Sequence, residues 1–178
     1  MLHIGVDEAG RGPVIGPLVV GCVCVPEEDI ELLVEAGVKD SKDLSKKKRE
    51  SIRTWFFENC QTRGWKYSII SCQPSRIDLA VENNGLNILE TQLFAEAINK
   101  LALDGNNDGF MITNDACDVD ENRFTRRISA LIDQWPWPNS NMVSFHKADE
   151  QYPIVGMASI LAKQHRDCLL YTSDAADE

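Results

Sequence analysis

The stretch IGVDEAGRGP, residues 4–13, places two adjacent carboxylates between a short apolar strand and a turn of small residues. Asp7 and Glu8 stand at the end of the strand that we predict over residues 2–7. Side chains alternate between the two faces of an ideal strand, so both carboxylates reach one site only where a strand ends and twists. The stretch therefore predicts a polar site at the end of the first strand.

The patterns around this stretch predict an α/β domain with a mixed five-stranded sheet flanked by helices. β-Branched and apolar runs predict strands over residues 2–7, 17–25, 65–72, 109–115 and 142–149. Apolar steps of three and four residues predict helices over roughly 46–60, 87–102, 121–133 and 153–166, and a short helix opens at Pro74. Three strands in series, followed by strands that alternate with helices, favour a sheet with both antiparallel and parallel pairs.

Length and composition are those of a single globular domain. The chain has 178 residues, of which 43% are hydrophobic and 26% charged. Its six cysteines include no CxxC pair, which argues against a zinc or disulfide framework. No apolar run reaches the roughly 18 residues of a membrane span, so we expect a cytoplasmic protein without a membrane partner.

The charge is unevenly distributed. A formal net charge of −10 argues against a nucleic-acid partner only if the charge is spread evenly. Residues 39–49 contain six basic side chains against Asp40 and Asp43. Such a run is usually a solvated helix face, and the functional alternative is a phosphate-binding edge.

Four carboxylates share one predicted context, the carboxyl end of a strand. They are Asp7, Glu8, Asp115 and Asp149. Clefts in α/β sheets form at such ends, and carboxylates that meet there need a counter-charge. Hard oxygen ligands without Cys or His favour Mg²⁺ or Mn²⁺, and two such ions about 3.5–4 Å apart promote phosphodiester hydrolysis. The alternative is that each acid forms a turn or caps a helix, which we expect for Asp118, Asp120 and Glu121.

The turn after Asp7 and Glu8 consists of Gly10, Arg11 and Gly12. Glycines let backbone amides approach a ligand and permit positive φ, while Arg11 is able to pair with phosphate. The alternative is a simple connection between strands. It is not a Walker A loop, because no Gly-Lys-Ser/Thr follows.

Five stretches in this order resemble the type 2 ribonucleases H, the ribonuclease HII family, and its archaeal branch in particular. They are GVDEAGRGPVIGPLVV (5–20), VKDSKDLSKKKRE (38–50), LNILE (86–90), DACDVDENRF (115–124) and HKADEQYPIVGMASILAKQHRD (146–167). The resemblance implies an RNase H-like fold and metal-dependent cleavage of RNA in RNA–DNA hybrids. It also implies incision 5′ of ribonucleotides embedded in duplex DNA, which leaves 3′-hydroxyl and 5′-phosphate ends.

The resemblance also implies a role for each matching residue. Asp7, Glu8, Asp115 and Asp149 match four catalytic metal-binding carboxylates. The substrate-binding positions are Gly10, Arg11 and Gly12, which match the motif that reads a 2′-hydroxyl, Ser41 and Lys42, which match a backbone-binding segment, and Lys147 beside the last carboxylate. The partner would be an RNA–DNA hybrid or duplex DNA with embedded ribonucleotides, and we expect a monomer.

The last eleven residues, CLLYTSDAADE (168–178), resemble a translated sequencing adapter more than the end of a domain. We therefore expect a catalytic domain over residues 1–167, a non-native tail over 168–178 and a natural protein that continues past Asp167. Two other functions stay open. One is a hybrid-binding fragment without catalysis, and the other is a small-molecule α/β enzyme such as a nucleotide phosphohydrolase.

Overall fold

Five strands pair in the order β3-β2-β1-β4-β5 in the computed structural model, which describes residues 1–11, 16–38, 41–83, 85–105 and 109–174. The strands are β1 (Leu2–Ala9), β2 (Leu18–Pro26), β3 (Lys66–Cys72), β4 (Phe110–Asp115) and β5 (Asn141–Phe145). β1 pairs antiparallel with β2, and β2 with β3, whereas β1 runs parallel to β4 and β4 to β5. The predicted mixed five-stranded sheet is confirmed.

Helices cover both faces of this sheet. They are α1 (Ile30–Glu35), α2 (Lys46–Arg63), α3 (Pro74–Glu82), α4 (Leu86–Lys100), α5 (Glu121–Ser129), α6 (Ala148–Gln151) and α7 (Pro153–Asp174). α4 and α5 form one apolar core with the sheet, and α1, α2 and α7 form a second core on its other side. None of the helices in the described part of the chain is long and apolar enough to cross a membrane.

Two strand glycines determine how closely α7 lies on the sheet. A Cβ at Gly5 of β1 would overlap the backbone of Ile154, and a Cβ at Gly21 of β2 would overlap the carbonyl of Ala158. Only glycine permits this close approach of helix and strand backbones. The contact fixes the first turns of α7 against β1 and β2, and Gly21 is the residue of β2 that pairs with Asp7.

Two strand predictions need correction at their ends. The first strand continues to Ala9, so Asp7 and Glu8 lie inside β1 and pair with β2 rather than following the strand. They nevertheless lie beyond the parallel pairing with β4, which stops at Val6. The fifth strand ends at Phe145, not at residue 149, because Lys147 adopts a left-handed conformation (φ 56°) and starts the short helix α6.

Two helices also differ from the prediction in length. α5 ends at Ser129, where the chain leaves the helix and Asn99 binds the backbone of Leu131 and Asp133 instead. α7 continues from Pro153 to Asp174, past the predicted end at residue 166. The assignment of residues 168–178 to a non-native tail stays a prediction.

Candidate functional site

Three carboxylates meet where β1 and β4 end. Asp7, Glu8 and Asp115 each offer an oxygen, and these oxygens lie within 4.8 Å of one another. The parallel pairing of β1 with β4 brings the two strand ends to the same edge of the sheet. Asp7 is buried, while Glu8 and Asp115 are half-buried and open toward a cavity of about 280 Å³.

Asp149 reaches the same cavity from α6. The left-handed Lys147 turns the chain back toward β4, and the Ala148 amide donates a 2.6 Å hydrogen bond to Asp115 Oδ1. Asp149 Oδ2 lies 3.8 Å from Lys42 Nζ, and Lys42 also lines the cavity. The structure therefore places all four predicted carboxylates around one cavity, although Asp149 arrives on a helical turn and not at a strand end.

Burial and neighbouring negative charges raise the pKa of Asp7 and Asp115. Burial, followed by the charges of Glu8 and Asp115, raises the pKa of Asp7 well above its usual range, against a hydrogen bond with Ser159. Burial and the charge of Glu8 raise the pKa of Asp115 to about 7, although the Ala148 amide opposes the rise. Carboxyl groups in this state bind protons readily because burial disfavours their charged form and the neighbouring carboxylates repel it.

This donor set fits a divalent cation. It consists of carboxylate oxygens that converge within 4.8 Å, without a nitrogen or sulfur ligand in the cluster. Mg²⁺ and Mn²⁺ prefer such hard oxygen ligands, and a bound cation would compensate the repulsion that raises the pKa of Asp7 and Asp115.

Ser41 and Lys42 line the cavity from the 3-10 turn before α2. Ser41 is buried, and its hydroxyl shares a 2.9 Å hydrogen bond with the hydroxyl of Ser159. Arg49, also buried, donates to the carbonyl oxygens of Ser41 (3.1 Å) and Leu44 (2.7 Å). Arg49 therefore stabilises this turn from inside the protein. Because this basic residue is buried, the run over residues 39–49 is neither wholly a solvated helix face nor wholly a phosphate-binding edge. Lys39, from the same run, lies outside the described residues.

One face of α7 supplies site residues that the sequence interpretation missed. Ser159, Lys163 and Arg166 line the cavity at steps of four and three residues, and Asp167 follows. Ser159 forms a hydrogen bond with Asp7. Polar residues at helical spacing on an otherwise apolar helix were the available signal.

The glycine-rich turn is held by α7. Gly10 has a φ of +103°, and a Cβ there would lie 2.6 Å from both Arg166 Nε and the Pro17 carbonyl oxygen. Arg166 Nε itself donates to that carbonyl at 3.2 Å. Gly10 therefore serves both the backbone conformation and the close contact. Gly12, predicted to bind substrate, lies outside the described residues.

The guanidinium of Arg11 contacts two side chains of α4. Its Nε lies 2.9 Å from Glu90 Oε1, and its Nη2 donates to Asn87 Oδ1 at 3.1 Å. The Glu90 side chain is fully buried, whereas that of Arg11 is 40% exposed. Burial raises the pKa of Glu90 to about 8 even though Arg11 lowers it. Arg11 lines a second, more apolar groove of about 500 Å³ beside Gly10 and α3.

Lys147 precedes Asp149 by two residues, but its side chain pairs with Glu150 and does not line the cavity. Its Nζ lies 3.1 Å from Glu150 Oε1, and the side chain is 72% exposed. Its left-handed backbone, rather than its ammonium group, is what places Asp149. Another neighbour that sequence reasoning missed is Cys117, whose buried thiol donates to Glu8 Oε2 at 3.2 Å.

Known proteins that are similar in sequence to this chain come from one family. The family model described as Ribonuclease HII matches residues 4–177. A curated relative, Ribonuclease HII of Methanococcus maripaludis, is 41% identical over 165 residues, which cover 92% of this chain. The chain spans 64% of the length of that relative.

Solved structures agree with these matches. The crystal structure of ribonuclease H2 from Pyrococcus horikoshii superposes with a TM-score of 0.83 at 36% identity, and the match covers 98% of this chain and 76% of that one. Bst-RNase HIII, solved in complex with Mn²⁺, has a TM-score of 0.72 over 93% of this chain and 52% of its own, but at 22% identity it shows a shared fold alone.

Proposed function

The chain belongs to the ribonuclease HII family, and we propose that it is an endoribonuclease that hydrolyses RNA in RNA–DNA hybrids. We further propose that it incises duplex DNA on the 5′ side of an embedded ribonucleotide. One observation supports this most directly: carboxylate oxygens of Asp7, Glu8 and Asp115 converge within 4.8 Å of one another where β1 and β4 end. Carboxylates in this arrangement serve hydrolysis of a phosphodiester in the presence of divalent metal.

The proposed catalytic groups are Asp7, Glu8, Asp115 and Asp149, which would hold Mg²⁺ or Mn²⁺. Cations held by these residues would supply polarisation of the scissile phosphate and activation of water. From the resemblance to the family, we propose that the products carry 3′-hydroxyl and 5′-phosphate ends. Ser159 and the Ala148 amide orient Asp7 and Asp115 through hydrogen bonds. The buried position of Asp7 keeps it in one orientation for the cation.

The proposed substrate contacts surround this centre. Gly10 and Gly12 would admit the ribose to backbone groups, and Arg11 would bind a phosphate. Ser41 and Lys42 also line the cavity, and the ammonium group of Lys42 suits a phosphate backbone. Lys147, exposed and paired with Glu150, would add only a long-range positive charge.

The proposal extends to the setting in which the protein acts. We propose that it acts as a monomer in the cytoplasm on RNA–DNA hybrids and on duplex DNA that contains ribonucleotides. Size-exclusion chromatography with light scattering tests the first point, since a mass near 19.9 kDa is expected for a monomer.

A nicking assay tests the activity. The purified protein, with Mg²⁺ or Mn²⁺, should nick a labelled duplex that carries one ribonucleotide, and Asp7→Asn should reduce the rate at least about a hundredfold because a proposed ligand loses its charge. Glu58→Gln, the same chemical change at an exposed position of α2, should nick at the wild-type rate.

Wild-type nicking by the Asp7→Asn protein would refute the assigned site. Hybrid binding without any nicking by the wild-type chain would instead favour the non-catalytic alternative. Metal-dependent turnover of free nucleotides would favour a small-molecule phosphohydrolase.

A further inference from the structure

The stretch LNILE, residues 86–90, has no role in the proposed reaction, yet two of its side chains contact Arg11. Asn87 and Glu90 stand one turn apart on α4, so they share a face of the helix. Asn87 Oδ1 accepts a 3.1 Å hydrogen bond from Arg11 Nη2, and Glu90 Oε1 lies 2.9 Å from Arg11 Nε. Seventy-six positions separate Arg11 from Asn87, so this contact is formed only by the fold.

The burial of Glu90 indicates that its ion pair with Arg11 serves more than stability. Glu90 is fully buried on a helix face whose neighbours Leu89, Leu93 and Phe94 belong to the apolar core. A buried carboxylate is costly, and an apolar residue of similar size is often the more stable choice at such a position. Its ion-pair partner, Arg11, lines the second groove beside Gly10, a residue that lines both this groove and the carboxylate cavity.

We propose that Glu90 and Asn87 are positioning residues that hold the Arg11 guanidinium in place to receive a phosphate of the bound hybrid. This inference rests on the proposed function, because it concerns the substrate contact assigned there to Arg11. A guanidinium has five N–H donors. One on Nη2 is donated to Asn87 and Nε forms a close ion pair with Glu90, so others are left to face a phosphate. Holding Arg11 before binding removes the cost of ordering a long side chain in the complex.

Glu90→Gln tests this with little change in shape. Above about pH 8, where Glu90 is ionised, the substitution frees Arg11 and leaves its charge uncompensated, which favours binding to any phosphate. We therefore measure kcat/KM for nicking a duplex that contains one ribonucleotide. We divide this value by the association constant for an all-DNA duplex of the same sequence. This ratio should fall about 2- to 12-fold, the cost of immobilising one such side chain. Asn87→Ala should lower it in the same direction.

A control on the same helix separates positioning from general damage. Glu96 of α4 forms a looser surface pair with Arg76 at 3.8 Å, so Glu96→Gln should leave the ratio unchanged. In an Arg11→Ala background, Glu90→Gln should change the ratio less than about twofold, because the residue to be positioned is gone. An equal loss in both backgrounds would overturn the proposal.

A second measurement does not depend on activity or on folding of the Arg11→Ala protein. In ¹H–¹⁵N spectra, the Arg11 Nε–H signal should be sharp in the wild type and in Glu96→Gln, and broadened or lost in Glu90→Gln. Persistence of a sharp signal in Glu90→Gln would overturn the positioning role even if wild-type nicking is observed. Absence of wild-type nicking together with the expected spectra would instead refute the proposed function alone.

Discussion

Replacing Asp115 with asparagine should stabilise the metal-free protein while it removes a proposed metal ligand. Asp115 lies in the carboxylate cluster with Asp7 and Glu8. Among the described residues, the Ala148 amide and Lys42 are the groups resolved as lowering its pKa. Asparagine retains an oxygen that is able to accept the Ala148 hydrogen bond of 2.6 Å. The substitution therefore removes charge with little change in contacts.

The magnitude follows from the pKa of Asp115. Burial and Glu8 raise it to about 7 from an ordinary value near 3.8. At about 1.4 kcal/mol per pH unit, ionising Asp115 in the folded state costs at most about 4 kcal/mol. Asp115 is half-buried, and water that enters the cleft reduces this cost, so we expect about 2 kcal/mol.

The sign depends on pH. Because the folded pKa lies above the unfolded one, the wild type is unaffected below about pH 4 and loses stability as the pH rises through about 7. The thermal midpoint of Asp115→Asn in EDTA should exceed that of the wild type by about 4–8 °C near pH 8. Near pH 4 the two proteins should melt together.

Thermal denaturation by circular dichroism, with and without Mn²⁺, measures both effects. Mn²⁺ should raise the wild-type midpoint near pH 8 and leave that of Asp115→Asn nearly unchanged, because a ligand that binds only the folded state stabilises it. Glu58→Gln, exposed on α2, serves as the control. Equal midpoints of mutant and wild type in EDTA near pH 8, or an equally large difference near pH 4, would refute the reasoning.

Two further predictions concern the surroundings of the cleft. Gly10→Ala should cost about 1–3 kcal/mol in stability and abolish most nicking, because alanine is strained at φ +103° and its Cβ meets Arg166; Gly64→Ala, with φ +72° and open space around it, should destabilise without loss of nicking per folded molecule. Asp118→Asn should lower the thermal midpoint at neutral pH by about 4–8 °C, since Asp118 is buried and bound by Arg123, a loss of about 2 kcal/mol. Hydrogen bonding from Arg123 lowers the pKa of Asp118 to about 2, so this difference should persist above pH 4 and vanish as the pH falls through 2; a difference unchanged at low pH would count against it.

Local patterns in the sequence predicted the sheet and most of the carboxylate cluster. Alternating and β-branched runs mark each strand, and the parallel pairing of β1 with β4 brings Asp7 and Asp115 to the same edge. Asp149 was placed on a strand because residues 142–145 are strand-like and the left-handed turn at Lys147 has no local signature. That turn is stabilised by the Ala148–Asp115 hydrogen bond, a contact 33 residues apart in sequence.

Residues whose role depends on distant contacts escaped prediction for the same reason. Glu90 interrupts the apolar stripe of α4 between Leu86 and Leu93, and a charge in that position was a usable signal of a buried partner. The identity of the partner was not predictable, because Arg11 reaches Glu90 only after β1 and α4 pack on each other.

The cleft acquires its rigidity from α7, and this explains how a cluster of repelling carboxylates is held open. Ile154 and Ala158 of α7 press against the bare backbones of Gly5 and Gly21, so this helix cannot retreat from the sheet without loss of the second core. The next residue of the same helix, Ser159, forms a hydrogen bond with Asp7. Packing energy from the apolar turns of α7 therefore opposes the electrostatic repulsion, and the proposed cation has to supply only the compensation of charge, not the assembly of the site.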